Sequence, residues 1–117
     1  MDEPIRKITP FHLAFKDMAR RVHETAVDKG WWDSDRSNGE AIALMHSELS
    51  EALEADRDGN PPDKHCPDHS SVAVEFADTI IRIMDYAHAR GLDVAGAIEA
   101  KAAVNEHRPH KHGGKRY

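Results

Sequence analysis

Two short acidic motifs carry the chemistry that this chain can do: Glu48-Leu49-Ser50-Glu51 and Glu75-Phe76-Ala77-Asp78. In each, two carboxylates stand three residues apart, so on a helix both project from one side. Each pair also lies inside an apolar periodic stretch rather than on a plainly solvated face. Burying such acids without a partner would cost several kcal/mol each. A shared cation removes that cost. Mg2+, with Mn2+ as the alternative ion, prefers carboxylate oxygens, and that preference points towards phosphate chemistry. A di-iron site is a poorer match, because it calls for Glu-x-x-His and neither motif has a histidine there.

A basic counterpart lies further along the chain. Lys101, Asn105 and Arg108 fall at i, i+4 and i+7, on one helical face. Lysine and arginine bind phosphate by charge and forked hydrogen bonds, and asparagine adds a neutral donor. His110, Lys111, His112, Lys115 and Arg116 then form a basic tail over residues 109–117. Acids and basic face together describe a site for a polyphosphate.

The elements that must position these groups are four helices. The first opens at Thr9-Pro10, with Thr as N-cap and Pro at the first helical position, and stops near Gly30. Its apolar stripe is Phe11, Phe15, Met18, Val22 and Ala26. The second begins at Ser37-Asn38-Gly39-Glu40, which has capping-box spacing, and ends before Asp58. Its expected core stripe is Ile42, Met45, Leu49, Ala52 and Leu53. A loop over 58–70, rich in Pro, Asp, Gly and His, follows. The third helix starts at Ser70 or Ser71 and runs to Gly91. Val72, Phe76, Ile80, Ile83 and Ala87 form one face, with Val74 and Ile81 opposite. A helix apolar on two sides is buried on two sides, and in so short a chain this predicts cover from a second copy. The fourth starts near Asp93 and cannot run far past Arg108, because Pro109 follows. No strand-like alternation is present, so the chain reads as all-α, a four-helix bundle.

With 117 residues the chain has room for one domain, read as 1–117. At 39% hydrophobic and 6% aromatic, it must build its core mainly from Ala, Leu, Ile, Val and Met. A net charge of -5 argues against a nucleic-acid polymer as partner. The lone Cys66 fits a reducing compartment, and the sequence carries neither an apolar signal region nor a membrane-spanning run. The expectation is a cytoplasmic protein.

Glu48-x-x-Glu51 followed, after 23 residues, by Glu75-x-x-Asp78 resembles the ExxE…ExxD signature of the all-α nucleoside triphosphate pyrophosphohydrolases, and among them the MazG-like proteins. Lys101-x-x-x-Asn105-x-x-Arg108 is similar to that family's phosphate-contacting helix. The resemblance implies a four-helix fold assembled as a dimer or dimer of dimers. It also implies Mg2+-dependent hydrolysis of a nucleoside triphosphate to the monophosphate and pyrophosphate. Glu48, Glu51, Glu75 and Asp78 would hold the metal, with Glu48 or Glu51 also serving catalysis by positioning the attacking water. Lys101, Asn105 and Arg108 would hold phosphate. Ser47 stands where many relatives carry a second glutamate, which bears on the number of ions.

Trp31 and Trp32, in the turn after Gly30, and His46 are candidates for contact with a base or ribose. His65, Cys66 and His69 match no standard zinc spacing. Two rival readings remain at this point. One is a narrow pyrophosphatase acting on dUTP/dCTP or phosphoribosyl-ATP. The other is a non-catalytic helical dimerisation module whose acids only set solubility.

Overall fold

The computed structural model describes residues 7–110 and contains four helices: α1 (Pro10–Asp28), α2 (Asn38–Arg57), α3 (Ser71–Arg90) and α4 (Val94–Glu106). Each starts on the cap that its sequence announces. Thr9 Oγ1 accepts from His12 N at 3.0 Å, and Ser37 Oγ accepts from Glu40 N at 3.1 Å. Ser70 Oγ accepts from Ala73 N at 3.2 Å, and Asp93 Oδ1 accepts from Gly96 N at 3.0 Å. These bonds satisfy amides that the first helical turn leaves without intrahelical partners. At the other end of α3, Gly91 takes φ 68°, a left-handed stop that a side chain would strain. The fold is an all-α bundle. Residues 111–117 of the expected basic tail, with His112, Lys111, Lys115 and Arg116, lie outside the described residues.

α3 is the central element, packing against α2 on one side and α1 on the other, while α4 rests on α1. The seams are lined by small residues. Ala19, Ala41, Ala52, Ala87 and Ala95 are buried, with Met84 the one larger apolar side chain among them. Alanine brings helix axes close, and the polar Glu48, Thr79 and Asp85 are buried in the same layer.

This corrects the expected core. On α2, Ile42, Leu49 and Leu53 are each about half exposed rather than internal. They sit roughly a quarter-turn round the helix from the Ala41–Glu48–Ala52 line that meets α3. The apolar residues of α2 occupy two neighbouring arcs, and periodicity alone does not say which arc meets the rest of the chain. The same happens on α3, where Phe76 and Ile80 are half exposed while Ala87 of the same face is buried. On α1, Phe11 and Met18 stand out of the stripe and Ala19 is buried instead. The radius of gyration, 17.3 Å, exceeds the ~13 Å of a compact chain of this length. Among the described residues, no helix is long and apolar enough to cross a membrane.

Candidate active site

α2 and α3 carry one acidic motif each, and their packing brings the two together. Glu48, Glu51 and Glu75 each offer a carboxylate oxygen, and these oxygens lie within 4.8 Å of one another. Glu48 is buried, Glu75 half-buried and Glu51 exposed, so the cluster opens from the helix seam outward. Asp78, one turn beyond Glu75, shares with Glu48 a cleft of about 330 Å³. Val22 and Ala26 of α1, Trp31 and Arg36 of the first connection, and Ile81, Arg82 and Asp85 of α3 complete its walls. The floor is α3, which alone bridges α1 and α2.

Charge in this cluster is under tension. Burial pushes the Glu75 carboxyl up to about 7, and its contacts with Glu48 and Glu51 push the same way. Burial, then the charges of Glu48 and Asp63, also raise Asp78, against the opposing pull of Arg82. Glu48 behaves differently. Burial would raise it, but hydrogen bonds from Arg82 and with Glu51 and Glu75 hold it below the usual carboxylate range. Arg82 Nε donates to Glu48 Oε1 at 2.9 Å. Arg82 is the guanidinium paired with these acids, and Oε2 of Glu75 is buried without a hydrogen-bond partner.

An all-carboxylate donor set with an orphaned buried oxygen fits a hard divalent cation, which takes oxygen ligands and favours the ionised form. Glu48, Glu51 and Glu75 have the convergence needed to hold one, and Asp78 faces the same cleft.

A second buried carboxylate, Asp85, lines the cleft further along α3. Asp85 Oδ1 lies 2.8 Å from Nδ1 of His23 and accepts from Trp32 Nε1 at 2.9 Å. The rings of His23 and Trp32 meet edge-to-face with centroids 5.5 Å apart. Arg36 and Arg90 lie over the Trp32 ring at 5.1 and 5.7 Å. Asp85 stands seven residues past Asp78, about 10 Å along a helix. The cleft thus has an acidic end and an aromatic end about 10 Å apart along α3.

The structure divides the remaining candidates. Trp31 is exposed and lines the cleft, whereas Trp32 is half-buried behind it as a partner of Asp85. His46 is exposed on α2, outside the cleft lining. Lys101, Asn105 and Arg108 are exposed on or just beyond α4, and they too lie outside the lining. Three cleft residues were missed in the sequence. Arg36 stands in a connection, Arg82 sits one turn past Asp78 on the acid-bearing face, and Asp85 lies two turns past it. The i+4 and i+7 spacing from Asp78 was the signal for the last two.

No protein-family model matches the chain, and no solved structure matches it. Two phage proteins do. A dATP/dGTP diphosphohydrolase of Cyanophage S-2L is 35% identical over 95 residues, covering 78% of this chain and 79% of the phage protein. A dATP/dGTP diphosphohydrolase of Salmonella phage PMBT28 is 37% identical over 84 residues, or 68% of this chain. This chain spans only 24% of that second, longer protein. With the four-helix fold and the paired acidic motifs, these relatives show that the chain belongs to the MazG-like all-α nucleoside triphosphate pyrophosphohydrolases, hydrolases of phosphoric anhydride bonds.

Proposed function

We propose that the protein hydrolyses a purine deoxynucleoside triphosphate to its monophosphate and pyrophosphate, with Mg2+ held by Glu48, Glu51, Glu75 and Asp78. The observation that carries this reading is the convergence of Glu48, Glu51 and Glu75 oxygens beside a cleft that also bears Arg36 and Arg82. The dATP/dGTP activity in the names of both phage relatives supports the purine assignment over the dUTP/dCTP and phosphoribosyl-ATP alternatives.

When bound, Mg2+ neutralises charge on the phosphates and lowers the barrier to attack by water. The protein's own groups do the rest. Glu48 is buried in the α2–α3 seam, so it serves as a rigid ligand. Glu51, the exposed member of the trio, stands where a carboxylate can orient water and take its proton as the α–β anhydride bond breaks. The base stacks at the aromatic end on Trp31, whose neighbour Trp32 is locked to Asp85. Half-exposed Ile42, Leu49, Leu53, Phe76 and Ile80 supply the contact for a second copy, giving a dimer or a dimer of dimers. In that assembly Lys101, Asn105 and Arg108 hold phosphate.

A pyrophosphate-release assay over the common (d)NTPs, with Mg2+ and with EDTA, tests this. The expected result is Mg2+-dependent release from dATP or dGTP, abolished in Glu48→Ala and Asp78→Ala proteins that keep native helicity. Pyrophosphate from no nucleotide would favour the dimerisation-module reading.

A further inference from the structure

We infer that Arg82 is an exchangeable counter-ion: it holds Glu48 while the acidic cluster is empty, and transfers to a phosphate oxygen of the substrate once a divalent cation takes Glu48. The inference rests on the pyrophosphohydrolase reading above and adds a residue to it that neither acidic motif contains.

The geometry supports it in three ways. First, Arg82 engages Glu48 through Nε at 2.9 Å, and among the described residues neither η nitrogen, the forked end of the guanidinium, makes a hydrogen bond. The fork is the part of arginine that matches two oxygens of one phosphate. Second, the partners differ in freedom. The Glu48 side chain is 11% exposed, whereas that of Arg82 is 30% exposed and forms part of the cleft wall. The carboxylate is anchored and the guanidinium can move. Third, Arg82 carries the positive charge in direct contact with the trio. A dication bound by Glu48, Glu51 and Glu75 would place two cations on one carboxylate, and their repulsion is strong where water is scarce. Release of Arg82 from Glu48 relieves it, provided an anion lies within reach. A triphosphate entering the cleft supplies that anion.

The site is therefore neutralised in two alternative ways. Without ligands, Arg82 satisfies Glu48. With metal and nucleotide, the metal satisfies the carboxylates and Arg82 satisfies phosphate. A purely structural arginine makes a different prediction, because its loss would loosen the α2–α3 seam and weaken every ligand alike.

The test is a pair of binding measurements on the full chain and its Arg82→Met variant. Mn2+ affinity without nucleotide is read by electron paramagnetic resonance of the free ion. Affinity for the non-hydrolysable α,β-imido analogues of dATP and dGTP is read by calorimetry in saturating Mn2+. Removing the competitor should tighten Mn2+ binding roughly threefold or more, and losing a charged phosphate partner should weaken the analogues at least about tenfold. Opposite movement of the two affinities supports the exchange; a parallel loss, or no change in either, overturns it. Should the Met variant not fold, Arg82→Lys carries the test. It keeps the charge and loses the fork, so Mn2+ affinity should stay within about twofold while the analogues bind several-fold more weakly. Equal weakening of both would again overturn the exchange. Wild-type protein that binds neither Mn2+ nor an analogue would instead sink the pyrophosphohydrolase reading itself.

Discussion

Nδ1 of His23 and Oδ1 of Asp85 lie 2.8 Å apart, joining the C-terminal half of α1 to that of α3 beside the cleft. The same oxygen accepts the indole N–H of Trp32, so one buried carboxylate fixes two elements. Replacing Asp85 by Ala strands both donors, whereas Trp32→Phe removes a single bond and leaves a smaller aromatic ring in place. The expected losses of stability are about 3–5 kcal/mol for Asp85→Ala and about 1–2 kcal/mol for Trp32→Phe. Urea unfolding followed by circular dichroism measures both. Equal losses would mean that Asp85 does not organise this end of the molecule.

Glu75 gives the metal-free protein a pH dependence with a definite sign. Its carboxyl, raised from 4.5 to about 7, binds a proton more tightly in the folded chain than in the unfolded one. The stabilisation is full below about pH 4.5 and is lost as pH rises through 7. Stability of the metal-free protein should therefore fall across that window. Excess Mg2+ should reverse the trend at its upper end, because the cation binds the ionised cluster. Glu75→Gln should flatten the slope, stabilise the metal-free protein at pH 8 and weaken Mg2+ binding. Thermal melts at several pH values, with EDTA or Mg2+, read all three effects. An unaltered slope in Glu75→Gln would assign the titration to another group.

The helices, their caps and the acidic motifs were legible in the sequence because each is a local signal. Ser37, Ser70 and Asp93 cap where capping chemistry says they should, within one turn of the amides they satisfy. The face that each helix buries is not local. Leu49 and Ala52 both fit an apolar stripe, yet only Ala52 meets α3, because the choice depends on which neighbour arrives. Arg82 and Asp85 were hidden for a related reason. An arginine or aspartate on an amphipathic helix reads as solvated until a glutamate from α2, or a histidine and a tryptophan, are seen opposite it.

The half-exposed apolar side chains predict self-association through a specific face. Leu49 and Leu53 on α2 and Phe76 and Ile80 on α3 flank the packed seam away from the acids. Leu49→Glu combined with Phe76→Glu should shift the particle towards monomer in sedimentation velocity while helicity is retained. A native-sized assembly from the double variant would place the interface elsewhere.

If two copies build the site together, the exposed basic residues of α4 acquire a role that one chain does not give them. Lys101, Asn105 and Arg108 lie outside the cleft lining, while α4 packs on α1. A phosphate contact from Lys101 would then reach the cleft of a neighbouring copy. Glu48→Ala and Lys101→Ala should each be inactive alone, since every site in either assembly lacks one partner. Mixed and re-equilibrated, the two variants form some assemblies in which one site pairs an intact acidic cluster with an intact Lys101. Up to about a quarter of wild-type activity should return in an evenly mixed dimer, because half of the assemblies are hybrids and half of their sites are complete. Under the opposite arrangement, in which Lys101 serves its own cleft, no mixture contains a complete site and no activity returns. Pyrophosphate release from the mixture against its two components decides between the arrangements.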